Sequence, residues 1–192
     1  MSSHITSLEP SPTQMSISFM HIPFNMKIQY PFGNPTFIGM IAGGTGIAPM
    51  IQALHAILGE SMEDRLNETN ETISPKVSLL YGSKTFDDIL GKEMLDSWLN
   101  SHGDQLAVTH ALSQEFEDPF IASERESNYK IERGRINRKL IQKSFPSPES
   151  NVQIFVCGPP GMYEALCGPR DQEDVTGILG ELGYSSDQVY KF

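Results

Sequence analysis

The sequence predicts an α/β fold, a domain built on a doubly wound parallel sheet. Short apolar runs alternate along the chain with segments whose apolar residues recur every three or four positions, the strand and helix periods. Two of these runs, residues 36–42 and 151–157, end directly on glycine-rich turns. The length of 192 residues suits one such domain with a short appendage.

Residues 1–14 are polar, carry two prolines and read as a disordered tail. Met15, Ile17 and Phe19 alternate with Ser16 and Ser18, the pattern of a half-buried strand. The aromatic, proline-punctuated stretch HIPFNMKIQYPFGNP suits an extended linker. Residues 36–42 (TFIGMIA) form the first buried strand of the domain proper, which spans 36–192. A helix follows the turn, with Pro49 tolerated in its first turn, Met50, Ile51, Leu54, Ile57 and Leu58 on its apolar face and Gly59 as its stop. Residues 60–75 are acidic and aperiodic, a surface loop, and 76–82 (KVSLLYG) form the second strand. Thr85 with Asp88 matches a capping box and predicts a helix through Ile89, Leu90, Met94, Leu95, Trp98 and Leu99. Residues 105–112 (QLAVTHAL) are the third strand and 113–133 a long polar loop. A helix is expected over 134–145, the fourth strand over 151–157, a short helix through Met162 and Leu166, and a longer one over 171–182 before the closing VYKF. No internal repeat is visible.

Fourteen basic against twenty-four acidic residues leave a net charge of −10. Such a chain repels phosphate backbones and anionic lipid surfaces, which points away from nucleic acid and membrane-surface partners. Two cysteines, Cys157 and Cys167, cannot make a disulfide framework and suit a reducing compartment. No apolar run is long enough to span a membrane, and the first twenty residues lack the pattern of a secretory signal. The expectation is a soluble, intracellular, cytoplasmic domain. Without a secretory signal, the acceptor-type triplets at Asn67 and Asn70 should stay unmodified. The five histidines show no metal-ligand spacing and no metal is expected.

The chemistry concentrates in two turns. Gly43-Gly44-Thr45-Gly46-Ile47-Ala48-Pro49 joins the first strand to the first helix. Its glycines permit positive φ and close approach of a ligand, and the helix behind it aims N–H groups and a positive dipole end at the turn, which favours a pyrophosphate. The spacing departs from G-x-G-x-x-G because Pro49 stands at the third glycine position, and no P-loop lysine follows. The same residues would also serve as a tight turn that binds nothing. Cys157-Gly158-Pro159-Pro160-Gly161-Met162 likewise follows a strand and precedes a helix. If both strands are central in one parallel sheet, both turns open onto the same edge, where nucleotides sit. Cys157 would then face the crevice, or else be a buried structural thiol; Cys167 is read as structural.

Taken together and in order, AGGTGIAPM and VCGPPGM resemble the pyridine-nucleotide half of the ferredoxin-NADP reductase superfamily, and within it the NADH-cytochrome b5 reductases. LLYGSKTFDDIL, GRINRKLI and the terminal LGYSSDQVYKF add to the likeness. The resemblance implies a Rossmann-like NAD-binding domain in which NADH reduces FAD and the flavin passes single electrons to cytochrome b5 or a similar haem acceptor. It implies that Gly43, Gly44, Thr45 and Gly46, with Ile47 and Pro49 behind them, cradle the pyrophosphate. Thr45 and Cys157 are the residues expected at the chemistry beside the nicotinamide, with Gly158, Pro159 and Met162 shaping its pocket. Phe192 is expected near the junction of flavin and nicotinamide, or as a plain apolar cap on the last strand.

Two departures from the family pattern stand out. Relatives place an antiparallel flavin barrel with an Arg-x-Tyr-Ser/Thr motif before this domain, whereas residues 15–35 match only its last strand and linker. The chain is therefore expected to need a flavin domain in cis or in trans, and a non-catalytic or truncated NAD(H)-binding module lacking its flavin domain is the alternative reading. Second, Ser113 occupies the position after the third strand where NADH-selective relatives carry an acid that bonds the ribose hydroxyls and NADPH-selective members carry a serine. No arginine follows at once to pair with a 2′-phosphate, and Glu115, Glu117 and Asp118 would repel one, which points to NADH rather than NADPH.

Overall fold

The computed structural model describes residues 34–59, 74–114 and 129–192. The expected tail, the strand at Met15–Phe19, the linker up to residue 33, the acidic loop over 60–73 with its two acceptor triplets, and Glu115, Glu117 and Asp118 lie outside them.

The described residues form a six-stranded sheet in the order β4-β3-β2-β1-β5-β6, with every neighbouring pair parallel. Its strands are β1 (Phe37–Gly43), β2 (Lys76–Ser83), β3 (Leu106–Leu112), β4 (Lys130–Arg133), β5 (Val152–Cys157) and β6 (Val189–Lys191). The helices are α1 (Ile47–Leu58), α2 (Lys92–His102), α3 (Arg138–Ser144), α4 (Pro160–Leu166) and α5 (Gly177–Glu181). Strand alternation divides the core between the two faces. Ile38, Met40 and Ala42 of β1 share a cluster with Met50 and Leu54 of α1 and with Leu95 and Leu99 of α2. Ile41, on the opposite face, packs with Leu140 and Ile141 of α3, Leu166 of α4 and Leu179 of α5. The chain runs outward from β1 to β4 and then returns to start β5 on the other side of β1. That reversal makes the β1–β5 boundary the topological switch point.

Four elements differ from the sequence expectation, each for a local reason. Thr85 and Asp88 do bond: the Thr85 N–H and hydroxyl both donate to the Asp88 carboxylate, at 3.0 and 2.8 Å. They close a turn rather than open a helix, because Gly91 takes a left-handed φ of 69° and α2 begins only after it. The expected loop over 113–133 contains strand β4, a polar edge strand whose pattern KIER carries no apolar alternation strong enough to announce it. The helix expected over 134–145 starts at Arg138, since Gly134 is left-handed at φ 102°. The helix expected over 171–182 shrinks to Gly177–Glu181. The carbonyls of Pro169, Gln172 and Asp174 all accept from the Lys191 ammonium at 2.9–3.0 Å, so β6 captures the segment that would have been the first turns.

Asn137 caps α3, its side-chain oxygen accepting the Leu140 N–H at 3.0 Å. Asn137→Ala is expected to lower stability by about 1 kcal/mol, read as a shift of the urea midpoint. An unchanged midpoint would show that packing alone holds this helix end.

Candidate functional site

The sheet register brings the two turns level. Ala42 lies beside Cys157, and Gly43 beside Gly82. After β1 the chain makes one 3-10 turn, Gly44–Gly46, and enters α1 with no acidic residue in the first turn to offset the positive helix end. After β5 it passes through Gly158 and Pro159 into α4. Between the turns opens a cleft of about 930 Å³, near the upper end of the range for small-molecule and cofactor sites.

Gly43, Gly44, Thr45, Gly46, Ser113, Cys157, Gly158, Pro159 and Met162 all line this cleft. Three other residues singled out from the sequence do not. Ile47 is buried in the core, and Pro49 sits within the first turn of α1. Phe192 packs edge-on against Phe155 and Tyr190, with ring centroids 5.8 and 4.8 Å away. Its N–H donates to the Val156 carbonyl and its carbonyl accepts from the Tyr163 hydroxyl, at 3.0 and 2.8 Å. It therefore caps the end of β6 against the core.

The glycines of the first turn do different work. Gly44 has φ 54°, and the space where its Cβ would stand is open to the cleft. That is the local shape a phosphate needs to reach backbone amides, and the residues present fit a dinucleotide on this ground. Gly46 has an ordinary helical φ of −62°, but a Cβ there would lie 2.2 Å from the Cys157 carbonyl oxygen. Its bare backbone lets the two turns touch. Met162 fills the space between Gly43 and Gly158: added Cβ atoms would meet its sulfur at 2.8 Å and its methyl at 2.3 Å.

The two cysteines separate in the structure. Cys157 is half-buried on the cleft wall. Cys167 is fully buried, and burial pushes its thiol up to about 11, so it stays a protonated, inert side chain at neutral pH. Tyr163 is likewise held protonated by burial and by the adjacent Cys157.

The sequence reading did not anticipate Lys84, Asp87, Asp88, Leu90 or Arg135 on the cleft wall. The Thr85 bonds hold the Asp88 carboxyl below its ordinary range. Arg135 arrives from beyond β4, more than twenty residues after Ser113 in the chain, because left-handed Gly134 turns the backbone there. Among the described residues no cluster of three or more His, Cys, Asp or Glu could hold a metal, and no helix is long and apolar enough to cross a membrane.

A family model for the oxidoreductase NAD-binding domain matches residues 40–168, from within β1 to just beyond α4. The chain belongs to that family. The matched segment of this NAD-binding domain contains both turns of the cleft. NADH-cytochrome b5 reductase 2 of Meyerozyma guilliermondii is 40% identical over 159 residues, covering 81% of this chain and 47% of the relative. The protein of the same name from Scheffersomyces stipitis is 37% identical over an alignment covering all of this chain and 57% of the relative. The chain thus spans about half the length of these curated relatives. Among solved structures, the cytochrome b5 reductase domain of Ulva prolifera nitrate reductase superposes with a TM-score of 0.61 at 25% identity, over 82% of this chain and 50% of that one. The CS-b5R domains of human Ncb5or, in the NAD+ form, share the fold at a TM-score of 0.58 and 22% identity, over 82% of this chain and 37% of that one.

Proposed function

We propose that the NAD-binding domain holds NADH in the β1–β5 cleft and is the nucleotide half of a cytochrome b5 reductase-type enzyme. In this reading a flavin domain, in cis or in trans, accepts the hydride, and cytochrome b5 or a similar haem protein is the final one-electron acceptor. The observation that carries the reading is the meeting of Gly43–Gly46 and Cys157–Pro159 across one cleft at the switch point, on a segment matched by the NAD-binding family. The names of the similar fungal reductases support NADH and cytochrome b5 as the reaction partners.

Bound NADH supplies a hydride; the chain's own contribution is position. Gly44 and Thr45 present backbone amides and a hydroxyl to the pyrophosphate, and the positive end of α1 favours its charge. Ser113, at the end of β3, stands at the adenosine side. Cys157, Gly158 and Pro159 flank the nicotinamide, with Met162 packed beneath them as a soft spacer.

Isothermal titration of the full chain is expected to give saturable NADH binding, weaker binding of NADPH, and at least tenfold weaker NADH binding in Gly44→Val, whose side chain would enter the open space of the cradle. Adding a reductase flavin domain and cytochrome b5 should then give NADH-dependent haem reduction. Binding without any reduction would favour the non-catalytic module, and a folded chain that binds neither nucleotide would overturn the assignment.

A further inference from the structure

The Tyr81 side chain, fully buried at the end of β2, joins two walls of the cleft through its hydroxyl. The hydroxyl donates to the Gly44 carbonyl at 3.1 Å and accepts from the Leu90 N–H at 3.2 Å. Gly44 belongs to the glycine turn, and Leu90 to the segment between β2 and α2 that also brings Lys84 and Asp88 to the cleft. The ring is set from behind by His110, whose centroid lies 5.8 Å away. Ile47 N–H donates to the same Gly44 carbonyl, so that oxygen is held from two directions.

We propose that Tyr81 is a positioning residue for the pyrophosphate of the dinucleotide, an inference that rests on the NADH reading above. In a planar trans peptide the carbonyl and the following N–H point in opposite directions. A Gly44 carbonyl fixed inward on buried Tyr81 therefore turns the Thr45 N–H outward, to the side where Gly44 and Thr45 are exposed and line the cleft. Gly44 is the left-handed residue of this turn, at φ 54°, and glycine there has the freedom to flip its peptide plane. The Tyr81 hydroxyl removes that freedom, so the amide is aimed before an anion arrives, and binding need not order it. The same hydroxyl sets the height of the opposite wall through Leu90.

Tyr81→Phe deletes the bridge and keeps the ring. In the full chain it is expected to weaken NADH binding about five- to tenfold by isothermal titration. It is also expected to speed amide hydrogen exchange at Leu90 at least tenfold in the ligand-free protein. Tyr184→Phe is the matched comparison: it removes another tyrosine hydroxyl bonded to a backbone carbonyl, that of Pro146, away from the cleft lining. It should lower the melting temperature as much as Tyr81→Phe does while leaving the NADH affinity unchanged. Equal affinities in the wild type and Tyr81→Phe would overturn the proposal, as would equal losses in the two variants. A wild-type chain that binds no NADH would remove the underlying reading, and this inference with it; unchanged Leu90 exchange would remove the bridge alone.

Discussion

Gly46→Ala is expected to destabilise the domain by about 3 kcal/mol or more, a fall in melting temperature of roughly 6–12 °C for a chain of this size. The added methyl would stand 2.2 Å from the Cys157 carbonyl oxygen and 2.9 Å from the Gly158 nitrogen. Both are backbone atoms, one at the end of β5 and one just beyond it, which cannot swing aside as a flexible side chain would. Backbone strain does not confuse the result, because Gly46 already has a helical φ of −62° that alanine adopts freely. The loss would therefore report steric contact between the two turns and nothing else. Gly44→Ala is the informative contrast. Its methyl would meet nothing within 4 Å, so its stability cost is confined to the positive φ, about 1 kcal/mol. A melting temperature for Gly46→Ala within two degrees of the wild type would show that the turns do not touch.

Acid should loosen the domain through His110. This imidazole is fully buried in β3, with neither ring nitrogen hydrogen-bonded among the described residues. It packs between Tyr81 and Tyr129, with centroids 5.8 and 5.1 Å away. Burial pushes its pKa down from 6.5 to about 4, with Asp96 pulling it upward and Lys92 pushing it further down. The unfolded chain thus binds a proton that the folded chain refuses between those two values, so stability is complete above pH 6.5 and falls as the pH drops toward 4. Between pH 7 and 4.5 the loss from this one group is roughly 2–3 kcal/mol. Urea unfolding at the two pH values should show that difference in the wild type relative to His110→Leu, which cannot titrate. Parallel pH dependence in both proteins would place the acid sensitivity elsewhere.

The strands were legible because each central one is buried on both faces and reads as a short apolar run bounded by glycine or polar residues, as in FIGMIAG and VQIFVC. The two turns were legible because glycine and proline act on the backbone itself. Elements whose form depends on a distant partner were not legible. Strand β4 is polar and exists because β3 offers it an edge. Residues 171–176 give up a helix because Lys191, at the far end of the chain, takes three of the neighbouring carbonyls. His110 read as one bland histidine among five, since nothing local distinguishes a buried imidazole from an exposed one.

The α/β class, the position of each central strand and the two glycine-bearing turns at the strand ends could be read from the chain alone. These follow from local backbone freedom and from the periodicity of apolar residues, which no distant contact has to supply. The folded sheet settled that the turns share one cleft, that Gly44 faces its open space while Gly46 lies against Cys157, and that Arg135 and Lys84 both line it. It also decided that one tyrosine hydroxyl spans two sides of the site. Each of these depends on which residues far apart in the chain the parallel register sets side by side, and register is a property of the assembled sheet.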